Sequence, residues 1–224
     1  MKNLLKLLVF FSLGALNISC SDSNENAYSN NPNNSNELTG SQSAMGLVGV
    51  SVSSSSSEIA GVSNFSAVVN SLENGISSYT AQATVTNPLV KNMISNFPGV
   101  LINGNSVSIS NLQTKQTSDG IKCITGPLAG VLVKYDASVG DSFTTGISGK
   151  VRTVVSKTGV DDYPYGMYLI KTIQVESTVN ATNRISGVNK ITYIANHKFG
   201  MVGVKVNFED GTNATFPIYT SAEN

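Results

Sequence analysis

The sequence predicts an α+β fold: an antiparallel β-meander or half-barrel with one or two N-terminal helices laid on one face. Three observations predict it. Before residue 100, apolar residues recur at helical spacing in two segments. After residue 100 they fall into short β-branched runs divided by turn dipeptides. The helical signals precede the strands and do not alternate with them, so parallel βαβ units are not expected. An all-β sandwich is the alternative.

The chain starts with a targeting segment. Lys2 and Lys6 come first, then an apolar run from Leu7 to Leu16, then the small Ser19 directly before Cys20. Residues 1–19 thus read as a signal peptide, since the run falls short of the about 20 apolar residues that span a bilayer. Asn17-Ile18-Ser19-Cys20 resembles a bacterial lipobox, with Asn17 where Leu is usual. The resemblance implies a lipoprotein acylated at Cys20, with palmitate-type chains, held on the outer membrane and facing the periplasm or the surface. The other reading is an ordinary signal peptide cut near Ser19, leaving Cys20 as a free thiol.

Residues 20–57 read as the lipidated cysteine and a disordered Ser/Asn-rich tether. Ser21 to Glu37 holds almost no apolar side chain, so it cannot bury enough surface to offset its ordering entropy. Met45 to Val50 is a short apolar island, and Ser53 to Ser57 is an unbroken serine run of linker type. A first strand over residues 45–52 is the alternative there. Residues 58–224 then form a single α+β domain.

Within that domain, Phe65, Val68, Val69 and Leu72 stand at i, i+3, i+4 and i+7, which predicts a helix stopped by Asn74-Gly75. A second helix has Asn87 as cap, Pro88 at its first position, and a stripe of Leu89, Val90, Met93, Ile94 and Phe97. Pro98-Gly99 ends it. Asn103-Gly104-Asn105 then predicts a hairpin between 100–102 and 107–109. Strands follow at 131–135, 150–156, 168–175, 189–195 and 201–208. In the last of these, Val202, Val204, Val206 and Phe208 alternate with polar residues or glycine, which predicts one buried face. Asp210-Gly211 reads as a type I′ turn into a final edge strand that contains Pro217.

The segments Tyr135 to Phe143, Tyr193 to Val202 and Phe208 to Thr212 resemble a module of bacterial cell-envelope lipoproteins. In that module a Val-Gly-Asp turn opens a meander and an Asp-Gly hairpin closes it. The resemblance covers about the last ninety residues and implies a half-barrel like that of periplasmic lipoprotein carriers, whose curved sheet wraps an acyl chain or hydrophobic peptide.

Formal net charge is zero and only 12% of residues are charged, which argues against nucleic acid as a partner. Cys123, between Ile121-Lys122 and Ile124, reads as a small core residue. His197 is the single histidine and reads as a turn or surface residue. With no Gly-x-Ser-x-Gly elbow and no His/Cys ligand set, the sequence predicts neither a catalytic residue nor a metal or cofactor. Asp161, Asp162, Tyr163 and Tyr165 are the ligand-facing candidates. Two carboxylates and two tyrosines around Pro164 suit a cation or a stacked sugar, while the other reading is a turn whose tyrosines pack on the sheet rim. The expected function is non-catalytic, a membrane-anchored protein acting by binding or structure. The alternative is a carrier of an acyl chain or hydrophobic peptide.

Overall fold

The computed structural model describes residues 36–55, 57–144, 151–178 and 187–223. All belong to one compact unit, Asn31–Asn224. The expected signal peptide over residues 1–19 and the expected lipidation site Cys20 lie outside the described residues.

The first sheet is built from β1 (Ser51–Ser53), β2 (Val62–Glu73), β3 (Ile76–Val85), β4 (Val100–Asn103), β5 (Ser106–Thr117), β6 (Gly120–Cys123) and β7 (Gly130–Lys134). The second contains β8 (Ser142–Thr144), β9 (Val151–Lys157), β12 (Ile173–Thr178), β13 (Val188–Asn196), β14 (Gly200–Phe208) and β15 (Asn213–Pro217). Between β9 and β12 a separate hairpin forms from β10 (Tyr163–Tyr165) and β11 (Tyr168–Ile170). The last strand, β16 (Tyr219–Thr220), returns to the first sheet beside β1. The strand orders are β16-β1-β2-β3-β5-β6-β7, with β4 also on β5, and β15-β14-β13-β12-β9-β8. Every pairing is antiparallel, and the sheet curls into a half-barrel.

The α+β expectation is overturned. Strands occupy 57% of the described residues and helical turns 6%, with a single α-helix, so the all-β alternative fits. That helix, α1 (Pro88–Ser95), is the second of the two expected. Asn87 caps it, its side chain accepting from Leu89 N at 2.8 Å and Val90 N at 3.4 Å, with Pro88 at the first helical position.

The first expected helix is β2. Its Ser, Asn and β-branched residues favour extended backbone over helix. The helical stripe needed Val68 and Val69 on one face, but the strand sends them apart: Val69 is 1% exposed and Val68 38%. Asn74-Gly75 does not stop a helix. Both residues have positive φ, +51° and +75°, between the paired Glu73 and Ile76. That is a two-residue type I′ hairpin, the turn for which Asn-Gly is best suited. Asp210-Gly211, expected to be that turn, is instead a longer one. Only Gly211 has positive φ, and Gly211 N bonds Phe208 O while Phe208 N bonds Thr212 O.

Packed chain begins within the stretch read as tether. Leu38 and Met45 are buried, a 3₁₀ turn spans Ala44–Gly46, and β1 pairs with both β2 and β16. The expected strand over 168–175 is broken at Lys171-Thr172 into β11 and β12.

The main core lies between the two sheets and α1. Val85, Val107, Ile121, Val131 and Val133 from the first meet Val154, Val175, Ile191, Tyr193 and Phe208 from the second. Cys123 is buried there as expected, its Sγ donating to Thr125 O at 3.2 Å. One expected partner faces the other way. A bulge between Ile194 and Ala195 shifts the β13–β14 register, and Val202 packs with Tyr165, Ile170 and Ile194 away from Val206 and Phe208. At the opposite end of β14 from the Asp-Gly turn, Ile218 N bonds Val202 O just after Pro217, and the chain then crosses to β1.

Candidate functional site

The concave face of β2 and β3 is where the sequence leaves space. Phe65, Ala67 and Val69 share one face of β2, and Tyr79, Ala81 and Ala83 share the matching face of β3. Ala67 pairs directly with Ala81. Two methyl groups facing each other at the centre of a curved sheet cannot fill the width between it and α1. What remains is a pair of adjoining cavities, open to solvent, of about 200 Å³ and about 330 Å³. Phe65, Met93, Ile94 and Ile218 line both. The smaller cavity reaches Val204, Val206 and Phe216 on β14 and β15. The larger reaches Ala67, Ala81, Ile109 and Leu132 on the first sheet.

Helix α1 forms a shared wall. Its stripe is too short to be stable as an isolated helix. Val90, 2% exposed, anchors it in the core, while Met93 and Ile94 border the open space.

Among the described residues, no Asp, Glu, Lys, Arg or His lines either cavity. The polar groups at the floor of the larger one are paired. Tyr79 Oη donates to Met45 O at 3.2 Å and accepts from Gln116 Nε2. Burial pushes the Tyr79 hydroxyl up to about 12, against hydrogen bonds that pull the other way, so it is neutral at physiological pH. Three of the chain's five methionines, Met45, Met93 and Met201, border the larger cavity. Unbranched thioethers re-pack readily around apolar guests of differing shape.

The residues singled out in the sequence sit elsewhere. Asp161 and Asp162 are exposed at the start of the β10–β11 hairpin. Tyr165 is 8% exposed, its ring centroid 4.8 Å from Phe199 and 5.3 Å from Tyr219, and its Oη accepts from Thr220 N at 3.2 Å. Tyr163 packs at the edge of that same aromatic cluster. None of the four lines the apolar cavities. His197 is exposed in the turn between β13 and β14. Among the described residues no three His, Cys, Asp or Glu side chains gather as a metal-binding group.

Sequence reasoning found one wall, the α1 stripe, and Val204 and Val206 on another. It placed Phe65 on an expected helix and missed Ala67, Ala81 and Ala83. The signal was there in the Asn74-Gly75 dipeptide, which read as a hairpin turn would have placed those residues on facing strands.

No protein-family model matches the chain, and neither does a curated protein or a solved structure.

Proposed function

We propose that this protein is a non-catalytic, lipid-anchored binding protein of the bacterial envelope that carries an apolar ligand, an acyl chain or hydrophobic peptide, in the groove beside α1. One observation carries the reading. Paired alanines hold open a groove whose walls are mostly methionine, aliphatic and aromatic side chains, with a few serines, threonines and Gln116 and no ionised group among the described lining residues. Apolar pockets of about 300 to 1,000 Å³ suit small ligands, and the adjoining cavities here reach that range. A ligand entering them trades water for dispersion contacts and leaves no buried polar group unpaired.

Anchorage rests on the Cys20 segment, which resembles a lipobox. A lipidated Cys20 would hold the groove at the outer membrane, where acyl chains and hydrophobic peptides have to cross water. No membrane-crossing helix is needed for this, and no described helix is long and apolar enough to be one.

The methionines offer an internal control for the test. In ¹³C-methyl NMR with a medium-chain fatty acid, the Met45, Met93 and Met201 signals should shift and saturate. Met167, 94% exposed on the β10–β11 hairpin, should stay still. Shifts of equal size at Met167, or none at the three cavity methionines, would remove the reading.

A further inference from the structure

We propose that a second, polar pocket at one end of the six-stranded sheet binds a small oxyanion, the carboxylate or phosphate group of a free solute or of a lipid headgroup. The pocket encloses about 160 Å³ and shares no lining residue with the apolar cavities. Four separate pieces of chain build it: Tyr135 just after β7, the end of β9 with Lys157, the bend between β11 and β12 with Lys171 and Thr172, and the β13–β14 turn with Asn196 and His197. Among the described residues, no carboxylate lines it.

The walls are fixed by hydrogen bonds. Thr158 N donates to Thr172 O at 2.9 Å, and Thr172 N donates to Thr158 Oγ1 at 3.0 Å. Asn196 Nδ2 donates to Lys171 O at 2.7 Å, while its Oδ1 accepts from Lys198 N at 2.7 Å and Phe199 N at 3.1 Å. Asn196 thus holds the β11–β12 bend against the β13–β14 turn.

Against that rigid frame, one polar atom is left over. Thr172 is 4% exposed, and its Oγ1 has no hydrogen-bond partner among the described residues. A buried hydroxyl lacking a partner is costly, and native proteins supply one from protein, water or ligand. Lys157 Nζ spends one hydrogen on Ala137 O at 2.9 Å and keeps two more. Lys171 is exposed at the rim. Two lysines and a residue with an orphan buried hydroxyl lining one pocket match an oxyanion, which offers several acceptor lone pairs and a charge. The space exceeds the about 10–15 Å³ that one water needs, so a small anion has room.

The full chain is titrated with inorganic phosphate, acetate and glycerophosphoglycerol, each against chloride at matched ionic strength, while the Thr158, Thr172 and His197 amides are followed by NMR. The expected result is a saturable shift at these amides that weakens about tenfold in Lys171→Gln and in Thr172→Val, one lost charge-assisted bond each. Tighter binding of glycerophosphoglycerol than of phosphate or acetate assigns the site to a headgroup, and the reverse assigns it to a free solute. Thr172→Val also removes the unpaired hydroxyl, so it should melt no lower than the parent chain. Equal binding by both variants and the parent, or shifts that never saturate, overturns the proposal and leaves Thr172 served by water alone. Should Thr172→Val fail to fold, Lys171→Gln, at an exposed position, still decides.

Discussion

Arg152 on β9 donates through Nη1 to the carbonyl oxygen of Val131 on β7, at 2.5 Å, and so bonds the outer strand of one sheet to the other sheet. Its Nη2 donates to Leu128 O at 2.8 Å, and its guanidinium lies 5.7 Å from the Tyr193 ring centroid. Arg152 is 0% exposed. Among the described residues it is held by carbonyls and a ring, with no carboxylate at ion-pair distance. β7 ends its sheet and its free carbonyls need donors; the fork of Arg152 supplies one to Val131 in the strand and one to Leu128 in the turn before it.

Replacing Arg152 therefore tests how the sheets are joined. Arg152→Met leaves the Val131 and Leu128 carbonyls without these donors but also removes a buried charge, and the net cost should be about 2 kcal/mol. Arg152→Lys keeps the charge and loses the planar fork, so it should cost at least as much, about 3 kcal/mol. Urea melts of both variants check the order. A Lys variant as stable as the parent would mean that charge, not geometry, is what the site requires.

The turn at Asn74-Gly75 separates the strand from the helix expected there. Gly75 has φ of +75°, where a Cβ is strained but meets only one atom within 4 Å, at 3.9 Å. Gly75→Ala should cost about 1 kcal/mol through backbone strain alone. Gly159→Ala, at negative or extended φ with open space around it, should lie within about 0.5 kcal/mol of the parent. If residues 63–74 were helical, Gly75→Ala would extend the helix and stabilise the chain.

How much of this was legible follows from what each element is made of. Helix α1 was readable because its cap, its proline and its stripe agree. β13 and β14 were readable from β-branched runs. β2 was not, because four apolar residues fit the helical period and the strand period is disturbed by irregular pairing near Ser63–Ser66 and Val69–Ser71. β3 hides its inward face behind small residues: Ser77, Ala81 and Ala83 line up with Tyr79 and Val85, and the run does not look apolar. The groove shares that difficulty. It exists where side chains are short, and a periodicity reading looks for large ones. The Val202 misplacement came from a bulge that no single strand announces.

Anchorage has its own test. Clickable palmitate fed to bacteria expressing the full chain should label the wild-type protein and not Cys20→Ala, which should also accumulate unprocessed. Because a single acyl chain holds weakly and two or three hold stably, the mature protein should sediment with membranes. Equal labelling of the two forms would dismiss acylation at Cys20.

Ala67 and Ala81 keep open the space in which the proposed ligand would sit, and filling it is the most direct measurement. The wild-type chain and Ala81→Phe are titrated with a fluorescent fatty acid, and each is melted in parallel. Ala81 lines the larger cavity opposite Met93 and Ile94 on α1, so the phenyl ring should occupy the ligand's place without overpacking a dense core. We predict saturable binding by the wild type, at least tenfold weaker binding by Ala81→Phe, and stability unchanged or raised by about 1 kcal/mol, as cavity-filling changes commonly give. Equal binding by both chains, or no saturable binding by the wild type, would contradict the claim that this groove is where the protein acts.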